Sequence, residues 1–322
     1  MTVPPEPRSS QRNWPRATLQ AVLHYGGSAL ILFLLFRFLP GRSVWKALQL
    51  VPARLWLAVF AGYVAANCIG VSKWRLIVNL AGAGLNVKQA VRCYAAGLFG
   101  SLFLPSLIGG DLVRAALAMR LGKSKAGVLF GGILDRVLDF LAVAILAGAG
   151  AVIVPGALDP ARRRIFLLIA GIAILGAALA LMIAALIPVR RLPYRVKRWL
   201  VSLRHSGRSL IQRPRAVLGA LCLGIVAQFT FIALTAALAA ACGLHLRFAA
   251  WLFAWPLAKM VGALPITQAG IGVREAALVA LLAPFGAPAV LTVAAGLAWD
   301  TIQVAGGLLG GLLSLAVRTR ES

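Results

Sequence analysis

The stretch Leu104-Pro-Ser-Leu-Ile-Gly-Gly-Asp-Leu-Val-Arg114 interrupts a very apolar sequence with a proline, two adjacent glycines, an acid and a base. A second copy follows as Leu264-Pro-Ile-Thr-Gln-Ala-Gly-Ile-Gly-Val-Arg274, which continues into Glu275. In each copy the proline stands nine positions before the arginine. Proline and glycine both interrupt helices, so the pattern predicts two broken helices with charge beside each break.

The sequence around these motifs is too apolar for a soluble domain. The chain has 322 residues, of which 61% are apolar, and its mean hydropathy is +0.90. Several apolar runs reach the about 20 residues that a helix needs to cross a hydrocarbon core of ~30 Å. The runs are continuous and do not alternate with polar residues, which excludes a β-barrel pattern. The sequence therefore predicts an all-α polytopic membrane protein.

The net charge of +25 arises from 33 basic and 8 acidic residues. We interpret the excess as Lys and Arg in cytoplasmic loops, which orient the helices and meet anionic headgroups. No RNA-binding signature accompanies the charge, so no nucleic-acid partner is expected. The most basic segment, residues 188–215, is predicted to be a cytoplasmic loop, and both termini fall on the same side.

The apolar runs predict one transmembrane domain, residues 18–317, with about six full spans and two re-entrant or broken hairpins. The predicted spans are about 18–39, 53–78, 126–154, 165–187, 216–241 and 288–317. The predicted hairpins are 87–106 with 111–121, and 248–264 with 273–284. A loop is predicted at 40–52, a disordered cytoplasmic tail at 1–17 and a second cytoplasmic tail at 318–322.

The order of these elements predicts an inverted-topology repeat. The half-repeats, about 18–154 and 165–317, each contain a span, a span, a hairpin and a span, and three spans separate the two hairpins. The hairpins then enter from opposite faces, as in many secondary transporters. Asp139 lies 25 residues after Arg114 and Asp300 lies 26 residues after Arg274, which suggests that the two aspartates are equivalent.

Charged residues within the apolar runs are the candidate site, because a charge at membrane depth usually pairs or faces a wet cavity. Asp111 and Arg114 stand one helical turn apart, so they can either pair with each other or hold a lipid. The arginines can bind a phosphate, and the free N–H groups at each short-helix start can hold an anion. The candidate substrate-binding residues are Gly109, Gly110, Asp111, Arg114, Gly270, Gly272, Arg274 and Glu275.

A second group of residues is predicted to balance charge or carry protons. Asp135 and Asp139 share one helix face, so they can hold a cation, carry a proton or pair with Arg114. Asp300 is a candidate proton site or a partner of Lys259 or Arg274. Lys73, near the end of its span, is expected to reach the cytoplasmic interface.

Three segments together resemble a known family. They are Phe103–Arg114 (FLPSLIGGDLVR), Leu134–Phe140 (LDRVLDF) and Leu264–Leu278 (LPITQAGIGVREAAL). In this order they are similar to the flippase-like transmembrane domain of lysylphosphatidylglycerol synthases, over nearly the whole chain. The resemblance implies a lipid-handling membrane domain in which Asp111, Arg114, Arg274 and Glu275 are the matching motif residues. Stand-alone members occur in bacteria and archaea, some of them tied to hopanoid or glycolipid metabolism.

We therefore expect a flippase-like protein of the bacterial inner membrane that moves or presents an anionic or phosphorylated lipid through a midplane cavity. The alternative is a non-transporting accessory subunit that positions a lipid for a partner enzyme of lipid, hopanoid or glycolipid synthesis. A membrane enzyme ranks last, because the sequence offers no catalytic set and ends at Ser322 without an aminoacyl-transferase domain. We expect no metal site and no cofactor.

Overall fold

A computed structural model describes residues 41–103, 107–153, 212–262 and 271–317, and this part of the chain contains helices and no strands. The helices are α1 (Gly41–Gln49), α2 (Ala53–Leu80), α3 (Val87–Phe103), α4 (Leu107–Leu121), α5 (Lys125–Ile153), α6 (Pro214–Ala241), α7 (Phe248–Gly262), α8 (Val273–Leu282) and α9 (Ala289–Ala316). A short 3-10 helix, Ala283–Phe285, follows α8.

The predicted membrane fold is confirmed. The helices α2, α5, α6 and α9 have 28 or 29 residues each and are long and apolar enough to cross a membrane. Large apolar side chains such as Leu57, Phe140, Leu218 and Leu312 are exposed on these helices, as lipid-facing residues must be. The predicted spans 18–39 and 165–187 and most of the loop 188–215 lie outside the described residues.

The predicted boundaries were wrong in two places. Residues 41–49, which we expected to be part of a loop, form α1, an amphipathic helix that buries Val44 and Ala47 three residues apart on one face. The short helix of the first hairpin starts at Leu107, four residues before the predicted start, so Gly109 and Gly110 lie inside α4. The glycine pair is therefore not a free loop at the tip.

The two halves of the protein run in opposite directions. The last turns of α2 pack against the first turns of α6, where Ile77 and Ala81 share a cluster with Ala220. At the other end α1, which precedes α2, packs against the end of α6, where Val44 shares a cluster with Cys242. The corresponding helices α2 and α6 are thus antiparallel, and the hairpins that follow them start from opposite ends of the bundle.

Each hairpin is inserted into the opposite half. Helix α3 packs along α9, and α7 packs along α5. The α3–α9 contact is close because α9 carries Gly307 and Gly310: a Cβ on Gly310 would lie 2.7 Å from the carbonyl oxygen of Ala95, and one on Gly307 would meet Leu102. Gly306 instead makes room for Tyr63 of α2. Glycines at helix contacts allow such close approach in membrane proteins.

The two arms of the first hairpin pack against each other through glycine. A Cβ on Gly110 of α4 would lie 2.5 Å from the carbonyl oxygen of Gly97 of α3, and one on Gly100 would lie 2.7 Å from Val113. Both arms, of 17 and 15 residues, are shorter than the about 20 residues of a full span. These lengths fit a hairpin that turns back within the membrane.

Candidate functional site

Six charged side chains of the first half form a closed ring in which cations and anions alternate. Lys73 on α2 lies 2.9 Å from Asp135 and 2.6 Å from Asp139, both on α5. Arg114 on α4 contacts Asp135 at 3.4 Å and Asp111 at 2.8 Å. Arg136 closes the ring, at 2.5 Å from Asp111 and 3.6 Å from Asp139. The ring ties the short arm of the first hairpin to two membrane-spanning helices.

The ring is buried on one side and exposed to solvent on the other. The side chains of Lys73, Asp135 and Arg114 are 4%, 1% and 7% exposed, whereas Arg136 is 40% exposed. The Arg114 guanidinium is also covered by two rings, with its central carbon 4.9 Å from the centre of Trp74 and 5.1 Å from that of Tyr94. Such stacking adds about 0.5–2 kcal/mol per pair. Arg114 is thus held on every side by its own protein.

The second half holds its arginine differently. Arg274 on α8 contacts Asp300 on α9, lies 2.9 Å from Glu275 Oε1 and donates to Gln303 Oε1 at 3.0 Å. Its guanidinium lies 5.4 Å from the centre of the Trp255 ring on α7. The arrangement links three helices but contains one cation only.

Glu275 is a helix cap as well as an ion-pair partner. Its Oε2 accepts a hydrogen bond of 2.6 Å from the backbone N–H of Gly272, which precedes α8 and has φ of 86°. This φ lies in the left-handed region that favours glycine. A glutamate three residues after the cap satisfies a backbone donor that the helix start would leave free. Glu275 is fully buried, and the absence of a side chain at Gly296 makes room for it.

A cavity of about 160 Å³ lies between the two halves and is lined by residues of α2, α3, α5, α6, α7, α8 and α9. One buried water needs only about 10–15 Å³, so the cavity has room for several waters or a small headgroup. The two halves contribute matching positions to the cavity lining. Positions are matched by counting from the first residue of each pair of corresponding helices. The pairs are Ala66 and Ala227, Asn67 and Gln228, Gly70 and Phe231, Tyr94 and Trp255, Leu98 and Lys259, Asp135 and Trp299, and Asp139 and Gln303.

This register corrects one expectation. The position of α9 that corresponds to Asp139 is Gln303, and the one that corresponds to Asp300 is Arg136. Asp139 and Asp300 are therefore not equivalent, although their distances in sequence from the two arginines are nearly equal. The scaffold repeats, but the chemistry of its two walls does not.

Lys259 lines the cavity from the second half, together with Arg274. Its Nζ donates a hydrogen bond of 2.7 Å to Gln228 Oε1 and lies 5.4 Å from the centre of the Phe231 ring. Within the described part of the chain, no carboxylate lies within the 4.0 Å of an ion pair from this nitrogen. The other three cations that line the cavity, Lys73, Arg136 and Arg274, all contact carboxylates.

The structure separates the predicted site residues into three groups. Asp111 and Arg114 do pair, Asp135 joins them, and Asp300 pairs with Arg274, which was one of its two predicted partners. Gly109 and Gly110 are buried in α4, Gly272 turns the chain before α8, and Glu275 caps that helix. Lys259, Asp135, Asp139 and Arg274 line the cavity. Gly270 lies outside the described residues.

Sequence reasoning missed several members of the site. Lys73, expected at the cytoplasmic interface, is 3% exposed and bridges two aspartates instead. A lysine without a partner in its own helix would reach for water, but here two carboxylates on α5 supply the counter-charge. The aromatic rings that cover the arginines, at Tyr94 and Trp255, were also missed. An alignment of the helix starts would have paired these two positions.

The family model described as "Lysylphosphatidylglycerol synthase TM region" matches residues 21–311 of the chain. A comparison with curated proteins finds no match.

Proposed function

The chain belongs to the lysylphosphatidylglycerol synthase TM region family, and we propose that it is a flippase-like protein that moves an anionic or phosphate-bearing lipid through the cavity between its halves. The observation that carries the proposal is the polar cavity itself. A ring of ion pairs, an arginine cluster and an unpaired lysine surround an opening inside a bundle with a mean hydropathy of +0.90.

The energetic argument favours a function for these charges. Each charged residue at membrane depth costs about 2.5–3.5 kcal/mol on insertion scales. Buried ion pairs can often be replaced by well-packed apolar side chains with no loss of stability. Four cations, Lys73, Arg136, Lys259 and Arg274, line the cavity, which is more than helix packing needs. A lipid headgroup is the polar cargo that a membrane-embedded cavity between inverted halves is suited to accept.

The distribution of exposed basic residues supports an orientation of the bundle in the membrane. The end of α2 and the starts of α3, α5 and α6 share one end of the bundle, where the backbone N–H of Lys123 bonds to Ala83 and Ala81 lies near Ala220. The exposed basic residues at this end are Lys88, Arg120, Lys123, Lys125, Arg213 and Arg215, against Arg42, Lys46, Arg54 and Arg247 at the other end. By the positive-inside rule, we assign this end to the cytoplasm.

The accessory role remains the second candidate, and the ion-pair ring favours it. The ring fastens the first hairpin to α2 and α5, which suits a domain that holds a lipid still for a partner enzyme. A moving hairpin would have to break or carry these pairs together. The two roles share the cavity and differ in whether the headgroup crosses.

Transport can be tested with a cavity-filling variant. Purified protein is placed in liposomes with fluorescently labelled phosphatidylglycerol, and the fraction of label that becomes accessible to dithionite is followed in time. We expect the wild type to exchange the label faster than empty liposomes do. Ala227→Phe should abolish the exchange, because Ala227 lines the cavity.

The matched control is Ala149→Phe, which adds the same side chain at an exposed position of α5. It should exchange the label as the wild type does, and thermal melting should show that both variants are folded. Exchange no faster than in empty liposomes would refute the flippase role and leave the accessory role. Full exchange by folded Ala227→Phe would show that the lipid does not use this cavity.

A further inference from the structure

Lys259 is the cavity-lining cation that has no ion-pair partner among the described residues. The ring of the first half contains equal numbers of cations and anions, and Arg274 has two carboxylates of its own. Lys259 contacts the neutral amide of Gln228 and the face of Phe231 and has no carboxylate at ion-pair distance among the described residues. The carboxylate that acts on it from further away, Asp139, is already shared by Lys73 and Arg136. A half-buried ammonium without a carboxylate at ion-pair distance is costly at membrane depth, and an anion bound beside it would lower that cost.

The neighbours of Lys259 are hydrogen-bond donors. A lysine ammonium has three N–H groups, of which the bond to Gln228 uses one. The indole N–H groups of Trp255 and Trp299, which both line the cavity, are buried and have no hydrogen-bond partner among the described residues. Tryptophan usually finds an acceptor for this group when it is buried. The cavity lining of the second half therefore offers two unused N–H donors, whereas its amide oxygens, on Gln228 and Gln303, already accept hydrogen bonds from Lys259 and Arg274. Such a lining suits a ligand with several negatively charged oxygens.

The arginines are less suited to that task than the motif suggests. Arg114 is enclosed by Asp111, Asp135, Trp74 and Tyr94, and its side chain is 7% exposed. Arg274 contacts Glu275, Asp300 and Gln303. A phosphate that approached either arginine would meet the carboxylates already bound there, and like charges repel.

We propose that Lys259 is the anion-binding residue of the cavity, where its ammonium and the Gln228 amide hold the phosphate of a lipid headgroup. The inference rests on the proposed function and assigns the substrate contact within the same cavity. Arg114 and Arg274 then act as structural residues that hold the two hairpins. A charge-assisted hydrogen bond to phosphate is about twice as strong as a neutral one, so a single lysine can dominate the affinity.

The test measures binding separately from transport. The full chain is purified in detergent, and the binding of dihexanoyl phosphatidylglycerol is measured by isothermal titration calorimetry. We expect Lys259→Met to weaken binding about tenfold or more, the loss typical of a hydrogen bond to a charged group. Lys259→Arg, which keeps the charge, should bind within a few-fold of the wild type. The matched control Lys88→Met removes an exposed lysine at the start of α3 and should bind as the wild type does.

Two further ligands identify the source of the anion. Inorganic phosphate tests whether the free ion suffices, and dihexanoylglycerol tests the acyl chains without phosphate. Binding of the phospholipid that depends on Lys259 and greatly exceeds that of both probes identifies a lipid headgroup. If inorganic phosphate binds as tightly as the phospholipid, the anion site stands and the lipid assignment falls. If Lys259→Met binds the phospholipid as the wild type does, the proposal is overturned.

The internal symmetry supplies a rescue variant. Leu98 lies at the position that corresponds to Lys259 and lines the same cavity, with Asn67 at the position of Gln228. Lys259→Leu combined with Leu98→Lys should therefore recover part of the affinity. If neither this swap nor Lys259→Arg binds, the loss in Lys259→Met reflects damage to the fold and the proposal fails.

The outcomes also separate this proposal from the transport role. Lys259-dependent binding by a wild type that does not exchange lipid would support the anion site and refute the flippase. If folded Lys259→Met exchanges lipid at the wild-type rate, the anion site is refuted and the flippase role is retained.

Discussion

The two hairpins occupy corresponding places in the fold and are fastened by different chemistry. The first is held by a ring of six charges that joins α4 to α2 and α5. The second is held by a glutamate cap within α8 and by one arginine that reaches Asp300 on α9. Lys73 takes part in the first arrangement, whereas the corresponding position of α6 is Leu234.

The difference teaches that a repeated scaffold need not have a repeated function. The cations and anions of the ring neutralise one another. They hold the cavity wall of the first half in place, and we call it the fixed wall. The second half satisfies its arginine locally and leaves a lysine facing the cavity. If this comparison is right, substitutions of charged residues in the first half should mainly lower the stability of the fold. Substitutions around Lys259 should mainly lower the affinity for the lipid.

The largest effect is expected at Asp135, which contacts both Lys73 and Arg114 and is 1% exposed. Asp135→Asn keeps the shape but leaves two buried cations short of counter-charge. Removal of one partner of a buried ion pair costs about 3–5 kcal/mol. Thermal unfolding in detergent, followed by tryptophan fluorescence, should show a clear fall in Tm. The control Lys88→Met should melt as the wild type does, and an unchanged Tm in Asp135→Asn would show that the ring does not stabilise the fold.

A smaller loss of stability is expected on substitution of Glu275, which holds the second hairpin in place as the ring holds the first. Glu275→Gln retains the length of the side chain but weakens the hydrogen bonds from Gly272 and Arg274. Hydrogen bonds that involve a charged group contribute about 1.5–3 kcal/mol. The same unfolding assay should place this variant between the wild type and Asp135→Asn. A loss equal to or larger than that of Asp135→Asn would contradict the claim that the first hairpin is the more firmly fastened.

A third prediction concerns the packing within the first hairpin. Gly110→Ala would bring a methyl group within 2.5 Å of the carbonyl oxygen of Gly97, so α3 and α4 must move apart. Overpacking of this kind costs about 1–3 kcal/mol. Gly148→Ala is the matched control, because it is also a helical glycine but has nothing within 4 Å of the new methyl. The control should be neutral or stabilised in the unfolding assay, and an equal loss in both variants would show that helix contact is not the cause.

Much of the fold could be predicted from the sequence. Apolar length alone located the four described spanning helices to within a few residues, because a helix in lipid must satisfy its backbone internally over a known thickness. The two motifs fell between α3 and α4 and between α7 and α8, as predicted, although the glycine pair of the first motif lies inside α4. The helix at Gly41–Gln49 was missed because it is short, although Val44 and Ala47 have helical spacing.

The site was less predictable, because its partners are distant in sequence. Asp111 and Arg114 are neighbours on one helix, and their pairing follows from spacing. Lys73 lies 66 residues from Asp139, and no local pattern distinguishes a lysine that reaches the interface from one held inside by another helix. The same holds for Lys259. Its lack of an ion-pair partner among the described residues depends on the packing of other helices, which no local pattern shows.

The smallest predicted effect compares two amides at corresponding positions on the cavity wall. Gln228 accepts the hydrogen bond of Lys259, whereas Asn67 donates to the backbone oxygen of Tyr63 in its own helix. Gln228→Ala should therefore weaken the binding of dihexanoyl phosphatidylglycerol by a few-fold, since one neutral hydrogen bond is worth about 0.5–1.5 kcal/mol. Asn67→Ala should leave the affinity unchanged, because no cation depends on that amide among the described residues. Equal losses in the two variants would mean that both walls contact the headgroup, and the division between a fixed wall and a binding wall would have to be abandoned.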